Sequence, residues 1–111
     1  MIFRRKSDGL VIADRAEKAE TFRTRLLGLI PRKSLAAGEG LWLEPCTGIH
    51  TCFMSFPIDA VFLDRDLKVL RMERCMRPWR LSAFVEDARS VLELPSGGAA
   101  GLAEGDELET A

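Results

Sequence analysis

Apolar residues in this chain fall into short runs cut by glycine, proline and aspartate, a pattern that predicts strands more often than helices. Ile2-Phe3-Arg4 and Leu10-Val11-Ile12-Ala13 flank Ser7-Asp8-Gly9. Glycine takes a positive φ there at little cost, so a hairpin is expected. One stretch changes period: Phe22, Leu26, Leu29 and Ile30 recur at i, i+4, i+7 and i+8, with Arg23, Thr24 and Arg25 on the outer side. Thr21 is suited to cap it and Pro31 removes a backbone donor, which predicts a helix from about Thr21 to Leu29.

Beyond Ala37-Gly38-Glu39-Gly40, the run Leu41-Trp42-Leu43 reads as a strand, with Trp42 in the core or against the helix. Ile58 to Leu63 and Lys68 to Met72 read as a hairpin across Asp64-Arg65-Asp66-Leu67. Ser90-Val91-Leu92-Glu93-Leu94 is a further strand, and Glu107-Leu108-Glu109 the last. About six or seven short strands with one short amphipathic helix predict a mostly β (α+β) fold, a compact antiparallel, barrel-like sheet. No repeat or linker divides the chain, so residues 1–111 are expected to form a single domain.

Composition narrows the class. Apolar residues make up 47% of the chain, enough for a core without staples. Cys46, Cys52 and Cys75 are odd in number and irregular in spacing, which fits reduced thiols and a cytoplasmic protein rather than a disulfide framework. Met1 to Gly9 is basic without a following apolar run, so no secretory leader is expected, and no segment reads as a membrane span. The net charge is −1, but residues 1–33 carry nine Lys/Arg against four Asp/Glu, and residues 86–111 one Arg against seven acids. Either the ends pack together and neutralise, or the asymmetry steers a charged partner.

The candidate chemistry concentrates between Glu44 and Asp59, an irregular segment holding two cysteines and His50, the one histidine of the chain. Four readings compete. Cys46, His50 and Cys52, with Asp59 as a fourth donor, offer soft ligands for zinc, or for copper with Met54, although the spacing is unlike that of zinc knuckles. A thiolate beside His50, oriented by Asp59, would suit a cysteine-dependent enzyme; rapid alkylation of Cys46 at pH 6 is the expected sign. His50 could instead donate to Asp59 or Glu93 and pin the loop. The last reading is a small-molecule or peptide pocket lined by His50, Phe53, Met54 and Phe56.

Outside that segment, Arg71, Arg74, Arg77 and Arg80 recur every three residues near Trp79 and Phe84, a combination that can hold phosphate and stack a base. A three-residue step alternates faces on a strand, and the isoelectric point of about 5.9 lacks a basic footprint, so nucleic acid is not the expected partner.

Four blocks carry a resemblance: Arg25-Leu26-Leu27-Gly28-Leu29, Ile49-His50-Thr51-Cys52-Phe53-Met54, Pro57-Ile58-Asp59-Ala60-Val61-Phe62-Leu63-Asp64, and Leu92-Glu93-Leu94-Pro95-Ser96-Gly97. In order and spacing they resemble the prokaryotic family known as domain of unknown function 192. The resemblance implies a compact, mostly β domain and marks His50, Asp59, Glu93 and Gly97 as signature positions, without a role for any. A small binding or accessory module is expected ahead of an enzyme, with no cofactor required. Its ligand, a small molecule or peptide, would sit in a polar pocket around His50, Asp59 and Glu93, with Phe53, Met54 and Arg25 as further contacts. Replacing His50 and Asp59 by alanine should then abolish binding and leave the melting temperature nearly unchanged.

Overall fold

The computed structural model describes residues 1–19 and 21–111, apart from the side chains of residues 22, 23 and 26. The N-terminal hairpin forms as β1 (Phe3–Arg5) and β2 (Val11–Ala13). Gly9 closes it at φ 75°, donating its N–H to the Arg5 carbonyl at 2.8 Å, while Asp8 Oδ1 accepts from the Leu10 N–H. The last strand, β8 (Leu108–Thr110), pairs antiparallel with the other side of β1 and completes a three-stranded sheet. This pairing lays the basic start of the chain on its acidic end. Arg4 meets Glu109 at 2.8 Å, Arg5 meets Asp106 at 3.1 Å, and Lys6 meets Glu107 at 3.8 Å. Much of the charge asymmetry in the sequence is therefore local pairing across one sheet.

The second sheet has the order β3-β4-β7-β5-β6, from β3 (Arg15–Ala19), β4 (Glu39–Leu43), β5 (Ile58–Leu63), β6 (Val69–Met76) and β7 (Ser90–Pro95). β3 is absent from the sequence expectation because alanine, glutamate and lysine have low strand propensity. Here Ala16 and Ala19 are both buried, and the strand pairs with β4 in parallel. The antiparallel pattern thus gives way at one edge, where the chain returns to the sheet through a helix and loop. β6 runs on to Met76, beyond the expected end at Met72.

No closed barrel is found among the described residues. There the strands form two sheets, joined at the ends by isolated hydrogen bonds instead of a continuous ladder. Ala16 N–H donates to the Met1 carbonyl at one end, and Leu108 N–H to the Leu67 carbonyl at the other.

The helix α1 (Phe22–Leu27) carries a capping box: Thr21 Oγ1 accepts from Thr24 N–H and Thr24 Oγ1 from Thr21 N–H. It stops earlier than the expected Leu29, at Gly28, whose φ of 50° and N–H bond to the Thr24 carbonyl end the turn before Pro31 is reached. Phe22 and Leu26 of the proposed apolar stripe lie outside the described side chains. No helix of the described residues is long and apolar enough to cross a membrane.

β5 and β7 are the central strands, and their register fixes the two faces of the sheet. Asp59 faces Leu94, and Val61 faces Leu92. Residues directly opposite across an antiparallel pair share a face. This face packs with Phe3, Ala13 and Leu108 of the small sheet in the largest apolar cluster. Trp42 packs there too, its ring edge-on to Phe3 at 5.2 Å, so it belongs to the core between the sheets. The opposite face carries Ala60 across from Glu93 and Phe62 across from Val91. It is covered by Leu29, Leu35, Met54 and the loops around Ile49 and Val85.

Candidate functional site

A cavity of about 260 Å³ opens on the second face. Its floor is Glu93 of β7 beside Leu43 of β4, and its walls are Arg25 and Leu27 of α1, Gly28 to Ile30, and Pro45, Cys46, Ile49, His50 and Met54 from the irregular segment. Glycine at 28 leaves space over the floor: a Cβ built there would come 3.8 Å from Glu93 Oε1.

Glu93 is the unusual residue. It is 3% exposed, and Oε1 has no hydrogen-bond partner. Burial away from water disfavours the charged form and pushes its pKa up to about 8, so the carboxyl group is largely protonated at neutral pH. A buried, unpartnered polar atom costs on the order of 1–3 kcal/mol, and here it lies on the floor of a cavity.

His50 lies in an isolated bridge to Leu81, and its Nδ1 accepts from the Cys52 N–H at 3.2 Å. In the neutral ring the proton then sits on Nε2. The loop is latched by Thr51, which is fully buried. Its Oγ1 accepts from the Arg80 N–H at 3.0 Å and donates to the Arg77 carbonyl, and its own N–H donates to the Arg80 carbonyl at 2.9 Å. Nothing in the sequence singles out Thr51, because its partners lie nearly thirty positions away in a loop without a regular pattern.

The predicted residues divide. His50, Glu93, Met54, Arg25 and Cys46 come together in the cavity. Asp59 does not. It projects from the opposite face of β5, where Oδ1 accepts from Cys75 N–H at 2.8 Å and Oδ2 accepts from Gly97 N–H at 3.1 Å and Ala99 N–H at 3.0 Å. With 1% exposure it is a clamp between β6 and the turn after β7. The bond from His50 to Asp59 or Glu93 is likewise absent among the described residues: Asp59 lies on the other face, and Glu93 shares the cavity with His50 without a hydrogen bond from its Oε1. Phe53 is outside the cavity, 67% exposed, its ring 4.6 Å from that of Trp79.

Cys46, His50 and Cys52 do not assemble as ligands. Among the described residues no three His, Cys, Asp or Glu gather closely enough to hold a metal ion. The Cys46 thiol turns to the Gly48 carbonyl at 3.2 Å, and the Cys52 N–H occupies His50 Nδ1. Nor is Cys46 an activated thiol: burial pushes its pKa up, and only the Gly48 contact and the Arg25 charge oppose that rise. With a maleimide at pH 7, exposed Cys75 should label first and Cys46 more slowly. Peptide mapping by mass spectrometry reads the order; Cys46 labelling first would restore the nucleophile.

The four arginines also part company. Arg74 donates to the Ala99 and Leu102 carbonyls at 2.6 and 2.8 Å, Arg71 sits 3.6 Å from Glu73, and the Arg80 side chain bonds the Trp79 carbonyl. A bulged strand followed by a loop removes the common face that the three-residue spacing would require.

Comparison with known proteins places this geometry in context. The family DUF192, described as an uncharacterized ACR, matches residues 3–110. A UPF0127 protein of Thermococcus sibiricus is 34% identical over 96 residues, which cover 83% of this chain and 62% of that protein's own length. A UPF0127 protein of Pyrococcus horikoshii is 34% identical over 82 residues, 71% of this chain and 70% of that protein. Among solved structures, a protein of unknown function from Novosphingobium aromaticivorans superposes with a TM-score of 0.87 at 23% identity, covering 99% of this chain and 84% of its own. A protein described as a putative transcription regulator from Sinorhizobium meliloti gives 0.80 at 24% identity, covering 97% of this chain and 89% of its own. At those identities the likeness is one of fold.

Proposed function

This chain belongs to the DUF192 family, and from its cavity we propose that it is a small ligand-binding module. The reading rests on one observation, the buried Glu93 Oε1 left without a partner on the floor of a mostly apolar cavity. A polar atom so placed is stabilised when a ligand supplies the missing hydrogen bond. The ligand is small, because about 260 Å³ falls below the roughly 300–1,000 Å³ of pockets that hold drug-sized molecules. It is mostly apolar, to match Leu27, Leu29, Ile30, Leu43 and Ile49, with one polar head turned to Glu93. No metal or organic cofactor enters this reading, and the three free cysteines suit a reducing cytoplasm.

The test is a titration with neutral, anionic and cationic fragments of about ten heavy atoms, followed by amide NMR shifts. Shifts should gather at Gly28, Gly48 and His50. Leu27→Trp fills the mouth from a position already 38% exposed, so it should keep the fold and weaken binding at least about tenfold. Fragments that shift nothing at millimolar concentration, or that bind L27W equally well, would overturn the proposal.

A further inference from the structure

The polar groups around the cavity are unequal in kind, and that inequality selects a ligand. Arg25 brings a guanidinium, which donates only. His50 has Nδ1 engaged by the Cys52 N–H, so Nε2 is its donor. Cys46 already gives its S–H to the Gly48 carbonyl and leaves a weakly accepting sulfur. Glu93, neutral in its buried setting, can donate its own O–H. Among the described residues no lysine or aspartate lines the cavity, and Arg25, Cys46, His50 and Glu93 are the titratable and charged groups there. The set is rich in donors around one orphaned carboxyl oxygen. Among the described residues, a ligand head that only donates, such as an ammonium, would find Glu93 as its sole side-chain oxygen acceptor, beside a cation.

Resting on the binding-module reading above, we infer that the cavity takes a small apolar carboxylic acid. Its carboxylate accepts from Glu93, His50 and Arg25 while its hydrocarbon end lies among Leu29, Ile30, Leu43 and Ile49. Carboxylate and carboxylic acid share one proton in a short hydrogen bond, an arrangement that needs only one of the two groups ionised. The consequence is a pH dependence of definite sign. Binding holds where Glu93 keeps its proton and weakens as Glu93 ionises, because two carboxylates would then face each other in a site poor in water.

The experiment compares benzoate, benzyl alcohol and benzylamine, three probes of nearly one shape, at pH 7 and pH 9 by calorimetry or NMR titration. Benzoate should bind tightest at pH 7 and lose about tenfold by pH 9, the size expected when a group titrating near 8 must stay protonated. Benzyl alcohol should show no comparable change. In Glu93→Gln, which retains a donor and cannot ionise, the benzoate ratio between the two pH values should fall below about twofold. Arg25→Gln should weaken benzoate more than benzyl alcohol. Benzylamine binding tightest, or a benzoate pH ratio that survives in E93Q, overturns the carboxylic-acid assignment and leaves the binding module standing. Failure of all three probes to bind removes both.

Discussion

Replacing Asp59 by alanine should lower the thermal midpoint by about 15 °C. The carboxylate is buried and takes three backbone N–H bonds, from Cys75, Gly97 and Ala99. Its removal leaves those donors without their acceptor, and two of them belong to the turn that follows β7. Hydrogen bonds to a charged acceptor are worth about 1.5–3 kcal/mol each in isolation, and their sum is reduced by relaxation and water entry. A loss of about 3–4 kcal/mol is therefore expected, which in a domain of this size is about 15 °C. Asp59→Asn keeps one acceptor oxygen and should fall between. Chemical denaturation of both variants measures it; a change below about 1 kcal/mol would mean that the turn holds itself. The expectation from sequence is the opposite, that His50 and Asp59 could be replaced by alanine with the melting temperature nearly unchanged; the three bonds to Asp59 argue against it for that residue.

Glu93→Gln should act in the other direction and only at higher pH. Burial raises the Glu93 pKa from 4.5 to about 8, so between those values the folded state holds a proton that the unfolded chain has released. Stability must then fall as pH rises through that window, by at most about 1.4 kcal/mol per unit, and level off above about pH 8. Between pH 5.5 and 7.5 this is about 2 kcal/mol, allowing for relaxation around a buried charge. Urea melts of the natural chain and E93Q at the two pH values separate this group from every other carboxylate, because only the difference in slope counts. The variant should be the more stable of the two at pH 7.5, and equal slopes would show that Glu93 is ionised when folded. The same titration governs the proposed ligand: a bound carboxylate holds Glu93 in its protonated form, so it should raise stability below pH 8 without changing the slope and carry the decline on to higher pH.

Much of the molecule was legible before its structure. The Asp8-Gly9 hairpin, the Thr21 cap, the strands at Leu41, Ile58 and Ser90, and the identification with the family all follow from local patterns and short blocks. Turn chemistry and hydrophobic period act over a few neighbouring residues, and a sequence displays them directly. β3 escaped notice because its residues have little strand propensity of their own and are held by pairing with β4, more than twenty positions away.

The site divides along the same line. The sequence by itself determined which residues could carry chemistry: His50, Cys52, Asp59 and Glu93 stand in the marked blocks, and Cys46 just ahead of one. Only the tertiary structure decided which of them act together. β5 and β7 pair so that Ala60, the neighbour of Asp59, stands opposite Glu93. Because side chains alternate along a strand, that single register puts the two acids on opposite faces. One becomes a fully bonded clamp and the other an unpartnered carboxyl group under a cavity. Register is a relation between distant segments, fixed by the burial of both faces at once, and no local pattern of residues contains it.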